Sequence, residues 1–374
     1  MKKLLHRAWA EINLDALDAN VEAIRAAAPG KTIMAVVKAN AYGHGIKIAA
    51  PELFRIGVKY FAVSCMAEAL ELREILPEAE ILIFGYCDEE QFSELIAHDL
   101  IQTVGETGFA KSLSDYALKN GVKIRVHVKA NTGMTRIGID TPEELSEILS
   151  LSGLSVEGVY THFACADSTD PDDDEYTRGQ QEKLNKIGEK AKKAGIPVYS
   201  QNSGGILYHS DFDGEIVRSG IITYGCMPNT AEKLPIPLTP VMRLRARVCQ
   251  LKDIPAGVPV SYGRTFVSEA PMRLAVIPIG YADGYSRSLS GKGAVYVNGQ
   301  RCPICGRICM DQTIVDVTGK DVSVGDIAEI YSDSIPEIMV DNIADSLGTI
   351  GYELLCRVSA RIPRVGVRNG EPIE

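Results

Sequence analysis

The sequence has no long apolar run, no cluster of basic residues and no paired set of cysteines. None of its hydrophobic stretches approaches the roughly 20 residues that a membrane-spanning helix needs. The amino-terminal MKKLLHRAWAEINL carries two lysines but no apolar run long enough for a signal peptide. With a formal net charge of −10, the chain is expected to bind neither nucleic acid nor an anionic membrane, since both require a basic surface.

The nine cysteines are scattered singly through 374 residues, which is typical of reduced thiols, and we expect a cytoplasmic location. Cys302, Cys305 and Cys309 lie close together in the sequence. Because no second pair with zinc-ligand spacing follows them, we predict no metal site there. The acidic run at residues 170–175 lacks a loop glycine and predicts the start of a helix, where the backbone dipole favours negative charge, rather than a calcium site.

No glycine-rich dinucleotide-binding fingerprint is present, although strands and helices alternate along the first part of the chain. A strand pattern at residues 7–14 is followed by a helical pattern over residues 15–28. About eight rounds of strand and helix then predict a β/α barrel of the TIM type rather than an open doubly wound sheet. The predicted barrel strands begin with residues 32–37 and continue at 60–64, 80–85, 100–104, 123–130, 156–163, 197–203 and 215–221.

The helical pattern stops at the proline-rich segment of residues 234–240, which predicts a domain boundary. We therefore predict a barrel domain over residues 1–237 and a mostly-β domain over residues 238–374. Short strand patterns at residues 242–251, 270–280 and 293–299 support the second domain. One short helix is predicted near residues 339–348.

Lys38 is the strongest candidate for chemistry. It ends the apolar run of residues 32–37 and is followed by the turn sequence YGHG, so it lies where barrel enzymes place their reacting groups. Partial burial lowers the pKa of a lysine, and the free amine condenses with an aldehyde. We propose pyridoxal phosphate as that aldehyde. The alternative is a lysine that merely extends its amine into solvent from a strand end.

The segments AVVKANAYGHG (residues 35–45), SYG (261–263) and CMDQ (309–312) together resemble the motifs of the alanine racemases. These are barrel enzymes that use pyridoxal phosphate to interconvert L- and D-alanine, and the resemblance covers nearly the whole chain. It implies that Lys38 carries the cofactor. It also implies a phosphate site formed by Tyr42, Asn202, Ser203, Gly220, Ile221 and Tyr352.

The same resemblance gives roles to four basic side chains. Arg218 faces the pyridine nitrogen, and because arginine does not readily give up a proton, the nitrogen stays unprotonated. His162 lies beside the ring and hydrogen-bonds toward the arginine, although a lone histidine on a strand is more often a core residue. Arg136 binds the substrate carboxylate, and Lys129 braces it when carbamylated. Asn131 replaces the family's usual aspartate, which removes one negative charge from this motif.

Racemisation requires a proton carrier on each face of the alpha carbon. Lys38 supplies one, and the resemblance implies that Tyr262 from the partner subunit of a homodimer supplies the other. An interface tyrosine without catalytic function is the alternative. The matching substrate-site residues in the second domain are Tyr281, Met310 and Asp311.

We therefore expect a racemase that converts a small amino acid, L-alanine or D-alanine, and supplies D-alanine for peptidoglycan. A serine or broad-range racemase of the same fold is the first alternative, since one hydroxyl is weakly discriminated by an apolar pocket; Tyr352 favours alanine. A non-catalytic pyridoxal phosphate carrier is a second, and a decarboxylase of related fold is a third. Tyr262 and the β domain argue against the carrier, and the SYGRTF context argues against the decarboxylase.

Overall fold

The computed structural model describes residues 6–373. Residues 1–5, which open the stretch considered above as a signal peptide, lie outside this range, as does residue 374. Among residues 6–373 no helix combines the length and the apolar character that crossing a bilayer requires.

Eight parallel strands form the first sheet, in the order β8-β7-β6-β5-β4-β3-β2-β9. Strand β9 returns to pair with β2, and the Arg218 amide donates to the carbonyl of Gln201, which follows β8, at 2.9 Å. The sheet is therefore a nearly closed barrel, which confirms the predicted fold and each predicted barrel strand. The strands up to this point are β1 (Ala8–Asn13), β2 (Thr32–Val36), β3 (Tyr60–Val63), β4 (Glu80–Ile83), β5 (Ile101–Val104), β6 (Ile124–Lys129), β7 (Leu154–Tyr160), β8 (Val198–Tyr199) and β9 (Ile216–Ser219).

The helices between these strands follow from local sequence signals. In the first helix, Leu17, Val21 and Ile24 form one buried face, and the Asn13 side chain caps the amino end. The acidic run predicted to open a helix does so: Asp170 caps the long eighth helix by accepting from the Asp172 amide at 2.9 Å. The helices are α1 (Leu14–Ala27), α2 (Lys38–Tyr42), α3 (Ile46–Arg55), α4 (Met66–Ile75), α5 (Phe92–Ala97), α6 (Thr107–Lys119), α7 (Pro142–Leu149), α8 (Pro171–Lys193) and α9 (Ser203–Tyr208).

The rest of the chain forms a mostly-β domain, as predicted. A three-stranded sheet (β11-β14-β17) and a two-stranded one (β12-β13) accompany a seven-stranded sheet in the order β16-β15-β18-β10-β1-β19-β20. Its strands are β10 (Met242–Arg247), β11 (Gln250–Ile254), β12 (Pro259–Val260), β13 (Phe266–Val267), β14 (Met272–Ile277), β15 (Ala294–Val297), β16 (Gln300–Pro303), β17 (Thr313–Asp316), β18 (Ile327–Tyr331), β19 (Arg364–Arg368) and β20 (Glu371–Pro372), with helices α10 (Val340–Leu347) and α11 (Gly351–Arg357). Helix α10 is the predicted short helix.

Strand β1 belongs to this second sheet rather than to the barrel. It pairs antiparallel with β10 and parallel with β19, so the opening strand of the chain completes the sheet of its last third. The alternating pattern of residues 7–14 indicated a strand but not its neighbours. The division at residues 237 and 238 stays a prediction, and the pairing of β1 shows that the two stretches share a sheet.

Candidate active site

Lys38 follows β2 and begins the left-handed turn α2. Ala39, Asn40, Ala41 and Tyr42 have φ angles of 52°, 55°, 55° and 51°. An L-residue in this region costs about 1 kcal/mol or more. Hydrogen bonds offset the cost: the Ala41 amide donates to the Val37 carbonyl at 2.8 Å, and the Asn40 side chain accepts from the Ile46 amide at 2.7 Å. These hydrogen bonds therefore hold the left-handed turn in place at the barrel mouth.

The surroundings of Lys38 favour its free amine. Burial lowers the pKa of Lys38, and the nearby Arg136 guanidinium lowers it further. Glu68 and Cys356 act in the opposite direction. The net lowering agrees with the sequence argument that a partly desolvated lysine at this strand end can act as a nucleophile.

Tyr42, Ser203 and Gly220 converge on one small space. The Gly220 amide donates to Ser203 Oγ at 3.1 Å, and a Cβ placed on Gly220 would lie 3.0 Å from Tyr42 Oη and 3.4 Å from Ser203 Oγ. Tyr352 from α11 packs against Tyr42 with ring centroids 5.9 Å apart. Ile221 begins the 3-10 turn Ile221–Tyr224, whose first amides have no acceptor within the turn. Hydroxyls and amides gathered in this way form a cradle that fits a phosphate group.

Asn202, the remaining residue of the predicted phosphate site, has a different task in the structure. Its side-chain oxygen caps α9 by accepting from the Gly205 amide at 2.9 Å. The cap fixes the start of the helix on which Ser203 lies. Asn202 therefore orients Ser203, and with it the cradle, by fixing the backbone at the start of α9.

Arg218 is a buried cation, and one of its two terminal nitrogens is not hydrogen-bonded among the described residues. Its Nη2 donates to the carbonyl oxygens of Thr161 and Ser200 at 2.7 and 2.8 Å, whereas the buried Nη1 has no hydrogen-bond partner among residues 6–373. The guanidinium lies over the rings of Tyr160 and Tyr199, 5.0 and 5.4 Å from their centroids. Buried donors are rarely left without an acceptor. Nη1 therefore fits an acceptor supplied by a bound group, and an unprotonated pyridine nitrogen is such an acceptor.

Lys129 and His162 lie in the same positive field. Burial and the charges of Arg136, Arg218 and Lys38 lower the pKa of Lys129 to about 7. Burial and these cations also hold the pKa of His162 well below its usual value, so the imidazole is neutral. Within residues 6–373 no hydrogen bond joins the His162 imidazole to Arg218; the arginine instead bonds to the carbonyl of Thr161, the preceding residue.

Arg136 lies on a loop that Asn131 organises. The Asn131 Oδ1 atom accepts from the amides of Thr135 and Gly133 at 2.9 and 3.3 Å. Its Nδ2 donates to Asp140 Oδ1 at 2.9 Å. Both ends of the amide are therefore used to close the loop, and the carboxylate beside this motif comes from Asp140.

Sequence reasoning missed two positioning side chains, Asp140 and Gln180. Gln180 from α8 is buried and donates to Thr132 Oγ1 at 3.2 Å and to the His162 carbonyl at 3.3 Å, while its side-chain oxygen accepts from the Ala164 amide at 2.9 Å. It ties the loop of Arg136 to the loop of His162. The only signal for it was a polar residue on the inward face of an amphipathic helix.

Of the predicted site residues in the second domain, Tyr352 packs at the barrel mouth, whereas the other four are exposed. Tyr262, Tyr281 and Met310 are 68%, 42% and 52% exposed. The Tyr281 amide donates to the carbonyl of Cys309, next to Met310, at 3.1 Å. Asp311 forms an ion pair with Arg361 at 2.7 Å. We call the surface formed by these four exposed side chains the β-domain face.

Neither a hydrogen bond nor a ring contact joins Tyr262 to a barrel residue within the described part of the chain. The same range contains no group of three or more His, Cys, Asp or Glu side chains arranged to hold a metal ion. The predicted site residues of the barrel therefore gather at its mouth, apart from Tyr262.

Comparison with known proteins identifies the family. The family model described as "Alanine racemase, N-terminal domain" matches residues 12–228, and "Alanine racemase, C-terminal domain" matches residues 241–366. The alanine racemase of Clostridium novyi is 38% identical over 100% of this chain and 99% of its own length.

Solved structures agree with the sequence matches. The alanine racemase of Clostridium difficile 630 superposes with a TM-score of 0.93 at 36% identity, covering 100% of this chain and 98% of that one. A structure of the same racemase in complex with cycloserine gives a TM-score of 0.92 at 34% identity, with 100% and 98% covered. The chain therefore belongs to the alanine racemase family of isomerases.

Proposed function

We propose that alanine racemisation by this chain uses pyridoxal phosphate held at the barrel mouth and two proton carriers, Lys38 and Tyr262 of the partner subunit. The observation that carries the proposal is the buried Arg218 with its unpartnered Nη1, next to a cradle of hydroxyl and amide groups. When bound, the cofactor supplies an electron-withdrawing ring that acidifies the alpha C–H of an attached amino acid.

The residues of the mouth divide the binding task between them. Tyr42, Ser203, Gly220, Ile221 and Tyr352 hold the phosphate. Arg218 directs Nη1 toward the ring nitrogen and keeps its own proton, because guanidinium groups do not deprotonate in proteins. Arg218 would therefore keep the nitrogen of a bound ring neutral, which would moderate electron withdrawal and favour return of the proton over other outcomes. The neutral imidazole of His162 packs beside the ring without adding a competing charge.

Proton transfer requires one group on each face of the alpha carbon. The lowered pKa of Lys38 increases the fraction of free amine that can act as a base. Tyr262 is exposed on the β-domain face, and within residues 6–373 its side chain has no hydrogen bond or ring contact, which supports its use by a second subunit. We propose a homodimer in which each site combines Lys38 of one chain with the partner's Tyr262.

The substrate is a small amino acid. Arg136 binds its carboxylate, and Tyr281, Met310 and Asp311 of the partner subunit narrow the entrance. Lys129, whose pKa is about 7, has a large neutral fraction at physiological pH and can react with carbon dioxide. The resulting carbamate would face Arg136, so we propose that Lys129 is carbamylated in spite of Asn131.

A cellular role and a location are also part of the proposal. We propose that the chain supplies D-alanine for peptidoglycan. The nine cysteines are all unpaired, which supports the proposal of a reducing, cytoplasmic location. A division into domains at residues 237 and 238 is consistent with the family-model matches but is likewise a proposal.

Two measurements test this function. The purified protein, treated with borohydride and digested, should carry the reduced cofactor on Lys38, and chiral chromatography should show conversion of L-alanine to D-alanine. L-Serine should be converted at least about tenfold more slowly. Cofactor on another lysine would refute the assignment of Lys38, and equal conversion of serine would replace alanine with a broader substrate class.

A further inference from the structure

Glu68 binds two backbone amides that follow neighbouring barrel strands. One carboxylate oxygen accepts from the Ala39 amide at 2.7 Å, and the other accepts from the Ser64 amide at 2.7 Å. Ala39 directly follows Lys38, and Ser64 directly follows β3. Hydrogen bonds to a charged acceptor are about twice as strong as neutral ones. Glu68 therefore joins the Lys38 loop to the next loop around the barrel mouth.

The backbone that Glu68 holds is the left-handed turn described above. Ala39 is its first left-handed residue, with φ of 52°, and the Asn40 side chain anchors the other end through the Ile46 amide. Residues other than glycine stay in this region only when their surroundings hold them. Loss of the Glu68 anchor would let Ala39 relax toward right-handed geometry and would move Lys38.

Glu68 also supplies negative charge at a mouth dominated by cations. The ionisable groups that act electrostatically on Lys38, or on which Lys38 acts, are Arg136, Glu68, Cys356, Lys129 and His162. Burial and Arg136 lower the pKa of Lys38, whereas the Glu68 carboxylate raises it. Glu68 is the carboxylate in this set.

We propose that Glu68 is a positioning residue for Lys38: its carboxylate fixes the backbone on the carboxyl side of the lysine and provides the negative charge that acts on its amine. This inference rests on the proposed function of Lys38. In this role Glu68 acts through Lys38 and its backbone, and not by contact with cofactor or substrate.

The first test is the substitution Glu68→Gln. Glutamine keeps one acceptor, but it removes the charge and places an N–H group against one of the two amides. In the full-length chain freed of cofactor, trace acetylation of Lys38 should be followed against pH by mass spectrometry of its peptide. Because the charge that favours the protonated amine is lost, the midpoint of Lys38 reactivity should move to lower pH by about half a unit or more. The acid limb of kcat/KM should move in the same direction.

A matched control separates this role from general stabilisation. Glu106 also accepts from two backbone amides, those of Gly108 and Phe109 at 3.1 Å each, at the start of α6. Glu106→Gln should therefore lower the melting temperature as Glu68→Gln does, but it should leave the Lys38 midpoint unchanged. Glu68→Asp keeps the charge and shortens the reach, so kcat should fall while the midpoint moves less than in Glu68→Gln.

The outcomes are distinct. A Lys38 midpoint in Glu68→Gln equal to that of the unmutated chain overturns the inference. If Glu68→Gln does not fold, Glu68→Asp decides, and unchanged kcat in that variant overturns the inference equally. Borohydride mapping of the cofactor in the same samples tests the proposed function separately, since failure to find the cofactor on Lys38 refutes that function instead.

Discussion

The barrel mouth and the β-domain face carry the two parts of the proposed catalytic apparatus, and they differ in burial. At the mouth, Lys129 and Arg218 are buried and surrounded by their own chain. On the β-domain face, Tyr262 is 68% exposed and contacts no barrel residue through a hydrogen bond or ring contact in the part of the chain that the structure describes. A cofactor site is usually largely pre-formed within one chain, whereas a site shared between subunits is completed only by assembly. The barrel mouth can therefore be described from one chain, whereas the proposed role of the β-domain face requires a second subunit.

Complementation between inactive variants tests this comparison most severely. Lys38→Ala and Tyr262→Phe should each lower racemisation by about 10³-fold or more, since each removes one proton carrier from both sites of its homodimer. After subunit exchange, a mixed dimer has one site that lacks both groups and one intact site. Equal mixing should restore roughly a quarter of the unmutated activity. Exchange verified by tagged pull-down without recovered activity would place Tyr262 outside the partner's site.

Arg218→Lys tests whether the mouth depends on geometry rather than on charge alone. Lysine keeps the positive charge, but its compact ammonium cannot reproduce the planar fork that binds both carbonyls through Nη2 and presents Nη1 separately. We expect kcat to fall by about 10²-fold, the typical cost of one misplaced oriented donor. Arg125→Lys is the control, because Arg125 forms forked ion pairs with Glu157 away from the predicted site residues. If both variants retain normal kcat, Arg218 has no oriented role.

Asn131→Asp tests the loop that presents Arg136. An aspartate there would set a second carboxylate against Asp140, now 2.9 Å from the Asn131 amide nitrogen. Repulsion of about 1 kcal/mol would loosen the loop and raise KM for alanine by about fivefold to tenfold. The double variant Asn131→Asp with Asp140→Asn reverses the pair and should restore KM. Equal KM in all three proteins would show that the pair does not position Arg136.

The smallest expected effect concerns Lys129 and pH. With a pKa of about 7, its neutral fraction falls as pH drops below that value, so a carbamate should be lost on acidification. Labelled bicarbonate should give a carbamate ¹³C signal at pH 8 that weakens toward pH 6, and removal of carbon dioxide should reduce activity by roughly twofold to threefold. Lys129→Ala provides the control spectrum. Persistence of the signal in that variant would assign it to another amine.

The sequence predicted the barrel because strand and helix periods are local properties. The strand that ends before Lys38 and the helix capped by Asp170 follow from residues close in the chain. The phosphate cradle was predicted by resemblance, and the structure brings Tyr42, Ser203 and Gly220 together. Packing between distant elements was not predictable: Gln180 gave no pattern that linked it to His162.

Asn131 shows the same limit for a single residue. From the sequence alone, Asn131 indicated the loss of one negative charge, because the sequence gives the residue type but not its partners. In the structure its amide donates to Asp140, so the loop retains a carboxylate in another place. Which side chain supplies a charge depends on the folded loop, and nine residues of separation carry no signal for that pairing.

The place of β1 between β10 and β19 has a consequence for the time course of folding. This strand is synthesised before both of its neighbours. At common rates of translation, residues 242–247 follow roughly 10 to 50 seconds later and residues 364–368 roughly 20 to 70 seconds later. The chain contains one tryptophan, Trp9, which lies in β1 with 1% of its surface exposed and with the Arg247 guanidinium 5.2 Å from its ring. Its fluorescence should therefore report the closing of the final sheet and stay silent while the barrel assembles.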